Sequence, residues 1–197
     1  MNLFNVIKTV LFKPKTIWNT VNENNQEFSK TLTKYVIPIT IIAMVSAFLD
    51  NIIDKGLINS FFGWKYSLVS GTIDVSKYAV AIVGGVFLSA FLLDVFAGVF
   101  GYEKNFNKHF TLASFAFTPI AVGTVVLIIP FVGWLYYFIS FYPILLMLFA
   151  TLERNKLSPE ISHGKKTGFL IISMAVIPVV FWSLWGVVGV FDLIRMI

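Results

Sequence analysis

The chain has 197 residues, a formal net charge of +5, 57% hydrophobic residues and only 13% charged ones. Soluble domains carry roughly 45–50% apolar and about 25% charged residues, and a globule of this size has too little interior for so much apolar surface. Composition therefore excludes a soluble domain and predicts an integral membrane protein, with mean hydropathy +0.83. There is no cysteine, and the two histidines are His109 and His163. Disulfides, thiolate metal sites and histidine-rich metal centres are excluded, and no cofactor is implied. The surplus of lysine follows membrane topology and does not point to nucleic acid.

Residues 1–34 read as a cytoplasmic N-terminal segment, amphipathic and polar. In Asn2–Phe12, Leu3, Phe4, Val6, Ile7, Val10 and Leu11 share one helical face, with Asn5 and Lys8 opposite. The pattern predicts a short helix lying in the headgroup region. Eleven residues reach about 16 Å, short of crossing. Lys8 and the lack of a small-residue cleavage site argue against a cleaved signal peptide. Pro14 ends this helix, and a second is predicted from about Lys15 towards the first span. The segment reads as a membrane-hugging lead into the bundle or as a partner-binding arm.

A spanning helix needs about 20 mostly apolar residues. Five spans are predicted, at about 35–53, 78–102, 110–129, 131–152 and 167–191, making residues 35–197 an all-α bundle. The third and fourth come from one uncharged run of 43 residues, Phe110–Leu152, punctuated by Ile129-Pro130-Phe131-Val132-Gly133-Trp134. Proline and glycine there predict a tight hairpin. Between the first two spans, Phe61, Phe62, Trp64 and Tyr66 beside Lys65 predict a link that dips into the interface.

Lysine and arginine are distributed unevenly. Lys8, Lys13, Lys15, Lys30, Lys34, Lys104, Lys108, Arg154, Lys156, Lys165 and Lys166 fall on one side, and Lys55, Lys65, Lys77 and Arg195 on the other. Eleven against four puts the N-terminus in the cytoplasm and, after five spans, the C-terminus outside.

Asp94 is the most informative residue inside a predicted span. It lies eight residues before Tyr102, which is about 12 Å along a helix. An ionised aspartate at a helix centre costs roughly 2.5–3.5 kcal/mol. Ser89, Ala90, Ala97, Gly98 and Gly101 form small-residue spacings that let another helix approach. Asp94 is therefore predicted to face a neighbouring span and to donate a hydrogen bond to a hydroxyl or backbone carbonyl there. A proton or cation site is the functional alternative. Pro38, Pro119, Pro143 and Pro178 kink or break their spans, with Ser114 and Thr118 placed to bond carbonyls freed near Pro119. No HExxH, GxSxG or P-loop signature is present.

Several stretches resemble the Yip-domain family, the Ypt-interacting type of small five-span membrane protein, and especially its short bacterial members. They are Lys13-Pro14-Lys15-Thr16-Ile17-Trp18, the Gly84-Gly85 span, Phe110-Thr111-Leu112-Ala113-Ser114-Phe115-Ala116-Phe117-Thr118-Pro119, Ile129-Pro130 with Gly133, and Tyr142-Pro143. The resemblance implies a five-helix bundle with a cytoplasmic N-terminus, and it offers no catalytic residue to carry over. Eukaryotic relatives bind prenylated Rab-type GTPases, but their acidic-tyrosine-glycine-proline motif before the first span has no match here. Richness in asparagine and lysine without cysteine points to a bacterial inner membrane. The function expected is non-enzymatic organisation or adaptation in the bilayer, by helix–helix interaction with itself or another membrane protein. The alternative is a small transporter or channel using Asp94 and the proline-kinked helices.

Overall fold

The computed structural model describes residues 2–16, 21, 27–53 and 63–195, with the backbone alone at 63–67, 69–70 and 190–195. All secondary structure among the described residues is helical. Helix α1 is Leu3–Phe12. Five further helices are long and apolar enough to cross a membrane: α2 (Phe28–Asn51), α3 (Gly71–Val99), α4 (Phe106–Ile128), α5 (Leu135–Lys156) and α6 (His163–Gly189). The helix containing α3 begins at Gly63, and α6 continues to Arg195. The chain is thus an all-α, multi-pass integral membrane protein.

Most of the helices overrun the spans read from hydropathy. The apolar run marks only the part of a helix that meets hydrocarbon, whereas the backbone ladder continues through charged ends until a cap stops it. So α2 starts at Phe28, and α4 starts at Phe106, where Asn105 accepts a hydrogen bond from the Lys108 amide at 3.1 Å. The α2–α3 link is largely helix from Gly63 onward. Phe61 and Phe62, and residues 17–20 and 22–26 of the predicted second helix, lie outside the described residues.

Helix α4 is the centre of the bundle. Of its most apolar stretch, 72% is buried, against 33–39% for the other four spans. Every residue from His109 to Ala121 is buried. A helix buried on all sides needs partners all round. It packs on α1, α2, α3 and α5, while α6 closes the bundle against α3 and α5. The helix bends at Phe117, just before Thr118-Pro119. Ser114 Oγ bonds the Phe110 carbonyl at 2.6 Å and Thr118 Oγ1 bonds that of Ser114 at 3.4 Å. The Thr118 hydroxyl also meets Tyr35 of α2, and Thr111 meets Thr31 at 3.3 Å.

Helix α1 packs on the bundle, with Leu3 and Ile7 lying against its core. Val6 and Val10 are buried in the core, whereas Phe4 and Phe12 point out. Tyr142 of α5 donates to the Leu11 carbonyl at 2.8 Å, satisfying one of the free carbonyls at the end of α1. Between α4 and α5, the Val132 amide bonds the Ile129 carbonyl at 3.2 Å, with Pro130 second and Phe131 third at φ +66. This is a type II turn, so the predicted hairpin is present, with phenylalanine at the position that favours glycine.

Two expectations follow. A Cβ at Gly85 would lie 2.6 Å from the ring of fully buried Phe117, whereas at Gly84 its nearest contact is 3.7 Å away, at Leu184. Gly85→Ala should lower stability by about 1–3 kcal/mol through overpacking, and Gly84→Ala should not lower it, as read by thermal unfolding in detergent. In this cysteine-free chain, a cysteine at exposed Asn5 should react with a water-soluble thiol reagent and one at buried Val10 should be protected; equal rates would contradict the docked position of α1.

Candidate functional site

At the end of the bundle where the N-terminal segment lies, three backbone stops bring distant side chains together. Helix α3 ends in a Schellman motif. Gly101 takes φ +84, the Tyr102 amide bonds the Ala97 carbonyl at 2.8 Å, and the Gly101 amide bonds that of Gly98 at 3.2 Å. Glycine alone adopts this left-handed turn without steric cost. The turn leaves Asp94 five residues from Val99, about 7.5 Å from the helix end. Asn105 caps α4 and so sets His109 on its first turn, facing α3. The third stop is the end of α5, whose last turn carries Arg154.

The result is a linear relay. His109 Nδ1 lies 2.8 Å from Asp94 Oδ1, and Arg154 donates to His109 Nε2 at 2.9 Å. A second guanidinium nitrogen donates to the Glu103 carbonyl at 3.0 Å. Arginine only donates, so Nε2 is the acceptor and the ring proton sits on Nδ1, directed at the Asp94 carboxylate. The imidazole is neutral in this tautomer, and it carries a hydrogen-bonded connection between one negative and one positive group. His109 is 1% exposed and Arg154 7%, while the Asp94 side chain keeps 21%.

Aromatic rings hold the guanidinium in place. It stacks over Tyr102 at 4.6 Å and over Phe169 of α6 at 5.1 Å, measured to the ring centroids. The Tyr102 hydroxyl donates to Asn155 Oδ1, and burial pushes this phenol above its ordinary pKa. One arginine thereby joins α4, α5, α6 and the turn after α3. Beside it, a cavity of about 200 Å³ is lined by Tyr102, Glu103, Asn105, Lys108, His109, Arg154, Leu157 and Ser158. Asp94 is not part of that lining.

The residues singled out in the sequence are dispersed. Ala90 and Ala97 are fully buried along α3 with Asp94. Ser89 is also buried, and its hydroxyl has no hydrogen-bond partner among the described residues. Gly98 gives room to Lys104, whose Cε would lie 2.0 Å from an added Cβ. Gly101 is not in the helix face but in the turn that stops it. Pro119 sits in α4, away from the relay, at the wall of an apolar groove with Leu11 and Phe138.

The sequence alone predicts that Asp94 donates to a hydroxyl or carbonyl, because no base lies at its depth in another predicted span. The structure reverses its role. It accepts from His109, because α4 and α5 each extend one turn past the apolar run and carry His109 and Arg154 with them. One signal for this was present in the chain. Arg154 is one of only two arginines among fifteen basic residues, and a planar fork is what a lysine cannot supply.

Removing either end of the relay should have unequal effects. Arg154→Met leaves His109 Nε2 and the Glu103 carbonyl without their donor, which should cost about 3 kcal/mol. Asp94→Asn keeps an oxygen for the Nδ1 proton and should cost roughly 1 kcal/mol. Unfolding of both variants in one detergent tests this; equal losses would contradict the arginine as the anchoring group.

No curated protein and no solved structure matches the chain. The family model for the Yip1 domain matches residues 8–194. That match takes in all five spans and every member of the relay, and on it the chain belongs to the Yip1 domain family.

Proposed function

We propose that this protein is a non-enzymatic organiser or adaptor within the membrane, acting through helix–helix interaction with itself or another membrane protein. The observation that carries this reading is the closure of the relay. Asp94, His109 and Arg154 are bonded to one another or to backbone. Asp94 does not line the adjacent cavity. Beyond the relay the core is packed with fully buried apolar side chains, among them Tyr35, Phe115, Phe117 and Ile120. A transport site needs a group that can exchange partners and a path to it. Both requirements are poorly met here, and the relay serves better as a clamp that fixes α3, α4, α5 and α6 so that their outer faces are rigid.

The positive-inside asymmetry supports a cytoplasmic location for the N-terminus and the relay, with the C-terminus outside. The composition supports a bacterial inner membrane.

The test places a photo-crosslinking amino acid at lipid-facing positions on four helices, one at a time: Ile41, Phe91, Phe138 and Val179, all among the exposed large hydrophobics. In intact membranes one face should give a discrete protein adduct and the others lipid adducts only. The same adduct should persist in Asp94→Asn. Lipid adducts on all four faces, together with a proton-dependent flux in proteoliposomes that Asp94→Asn abolishes, would replace this reading with transport.

A further inference from the structure

The cavity of about 200 Å³ beside the relay lies where α4 starts and α5 ends, at headgroup depth. Arg154, 7% exposed, forms part of its wall and keeps its bonds to His109 and the Glu103 carbonyl. Three other lining side chains carry donors that meet no acceptor among the described residues. They are the Lys108 ammonium, the Ser158 hydroxyl and the Asn105 side-chain nitrogen, the Asn105 oxygen being taken by the Lys108 backbone amide. An ammonium and a guanidinium thus line the cavity with one carboxylate, that of Glu103. Glu103 is exposed and meets Arg154 through its backbone carbonyl. Asp94 bonds the far side of the His109 ring and does not line the cavity. It offsets the charge of Arg154 through that ring, whereas Lys108 is in no ion pair among the described residues.

We propose that this cavity binds a phosphate group. A phosphate presents several acceptor oxygens on a tetrahedron, and the donors of Lys108, Asn105 and Ser158 come to one space from two sides of it, the start of α4 and the chain just after α5. A carboxylate has two oxygens in one plane and would leave part of this set unmet. A cation would have Glu103 alone as countercharge and would face Lys108 and Arg154. The positive end of the α4 dipole, over a helix of 23 residues, adds to the same sign. Lys108 supplies the charge-assisted bond, and the site depends on it most. At headgroup depth the phosphate has two sources: the diester of a lipid headgroup, or a free phosphate from the aqueous side. This inference is independent of the proposed adaptor role.

The test uses the full chain in maltoside micelles, which contain no phosphate. Equilibrium dialysis against radiolabelled inorganic phosphate, in chloride at constant ionic strength, should show saturable binding. Lys108→Gln breaks no hydrogen bond or ion pair of that side chain among the described residues, so it should melt like the wild type. It should weaken phosphate binding about tenfold, as expected for one charge-assisted hydrogen bond. Glu103→Gln removes the opposing carboxylate and should tighten binding about threefold. Lys156→Gln, at an exposed lysine paired with Glu153 outside the lining, should leave affinity unchanged. Dihexanoyl-phosphatidylglycerol then separates the sources. If the headgroup is the ligand, this lipid displaces the label at lower concentration than unlabelled phosphate does; if free phosphate is the ligand, the order is reversed. The absence of saturable phosphate binding overturns the proposal whichever the source. So does displacement by acetate at the same concentration as by phosphate, or a loss in folded Lys108→Gln no larger than in Lys156→Gln.

Discussion

One helix surrounded on every side sets the terms for the rest of the molecule. From His109 to Ala121, α4 presents no residue to lipid, so its neighbours must supply a complete wall and its polar atoms must find partners inside protein. Both demands shape the chain. The wall consists of α2, α3 and α5 together with α1, which is too short to cross but contributes Val6 and Val10 where the spans leave α4 uncovered. The polar atoms are handled locally where they can be. Ser114, Thr118 and Thr124 return their hydroxyl groups to carbonyls of their own helix. Thr111 and Thr118, which bond carbonyls of their own helix, also meet Thr31 and Tyr35 of α2.

Magnitudes separate the contacts that hold the bundle from those that decorate it. Interhelical hydroxyl bonds inside membranes average about 0.6 kcal/mol. Thr31–Thr111, Tyr35–Thr118 and the 2.8 Å Thr151–Ser173 bond would together contribute about 2 kcal/mol. A single unpaired charge at membrane depth costs at least as much, roughly 2.5–3.5 kcal/mol. The Asp94–His109–Arg154 relay therefore has a larger lever than the other polar contacts. Because a neutral imidazole joins two opposite charges, the cluster as a whole carries no net charge, and its cost lies in geometry. Gly101 and Asn105 supply that geometry by ending α3 and starting α4 within a few residues of each other. Arg154 completes it with a fork that bonds the ring and the Glu103 carbonyl at once.

The two ends of the bundle differ in kind. At one, every member of the relay is bonded to a protein group. At the other, carboxylates, indoles and phenols surround a cavity of about 170 Å³.

Composition and hydropathy alone determined that the chain lives in a membrane, that it has five spans, that a tight turn separates the third and fourth, and that Asp94 is the acidic residue in need of a partner. These follow from transfer free energies summed over about 20 residues, which depend little on where other helices lie. Family membership was also legible, in the small and aromatic run from Phe110 to Pro119 that the structure places at the buried centre. Tertiary structure alone decided the rest. Hydropathy marks hydrocarbon, not helix ends, so His109 and Arg154 read as loop residues until the caps carried α4 and α5 past the apolar runs. The small residues around Asp94 read as one stripe, yet Gly101 serves a turn and Gly98 makes room for Lys104. The one-sided face of α1 split into residues turned to the core and residues turned out, because a helix face has no preference between lipid and protein until a neighbouring surface stands beside it. Span number and depth are properties of single segments; the identity of a buried charge's partner belongs to the packing of several.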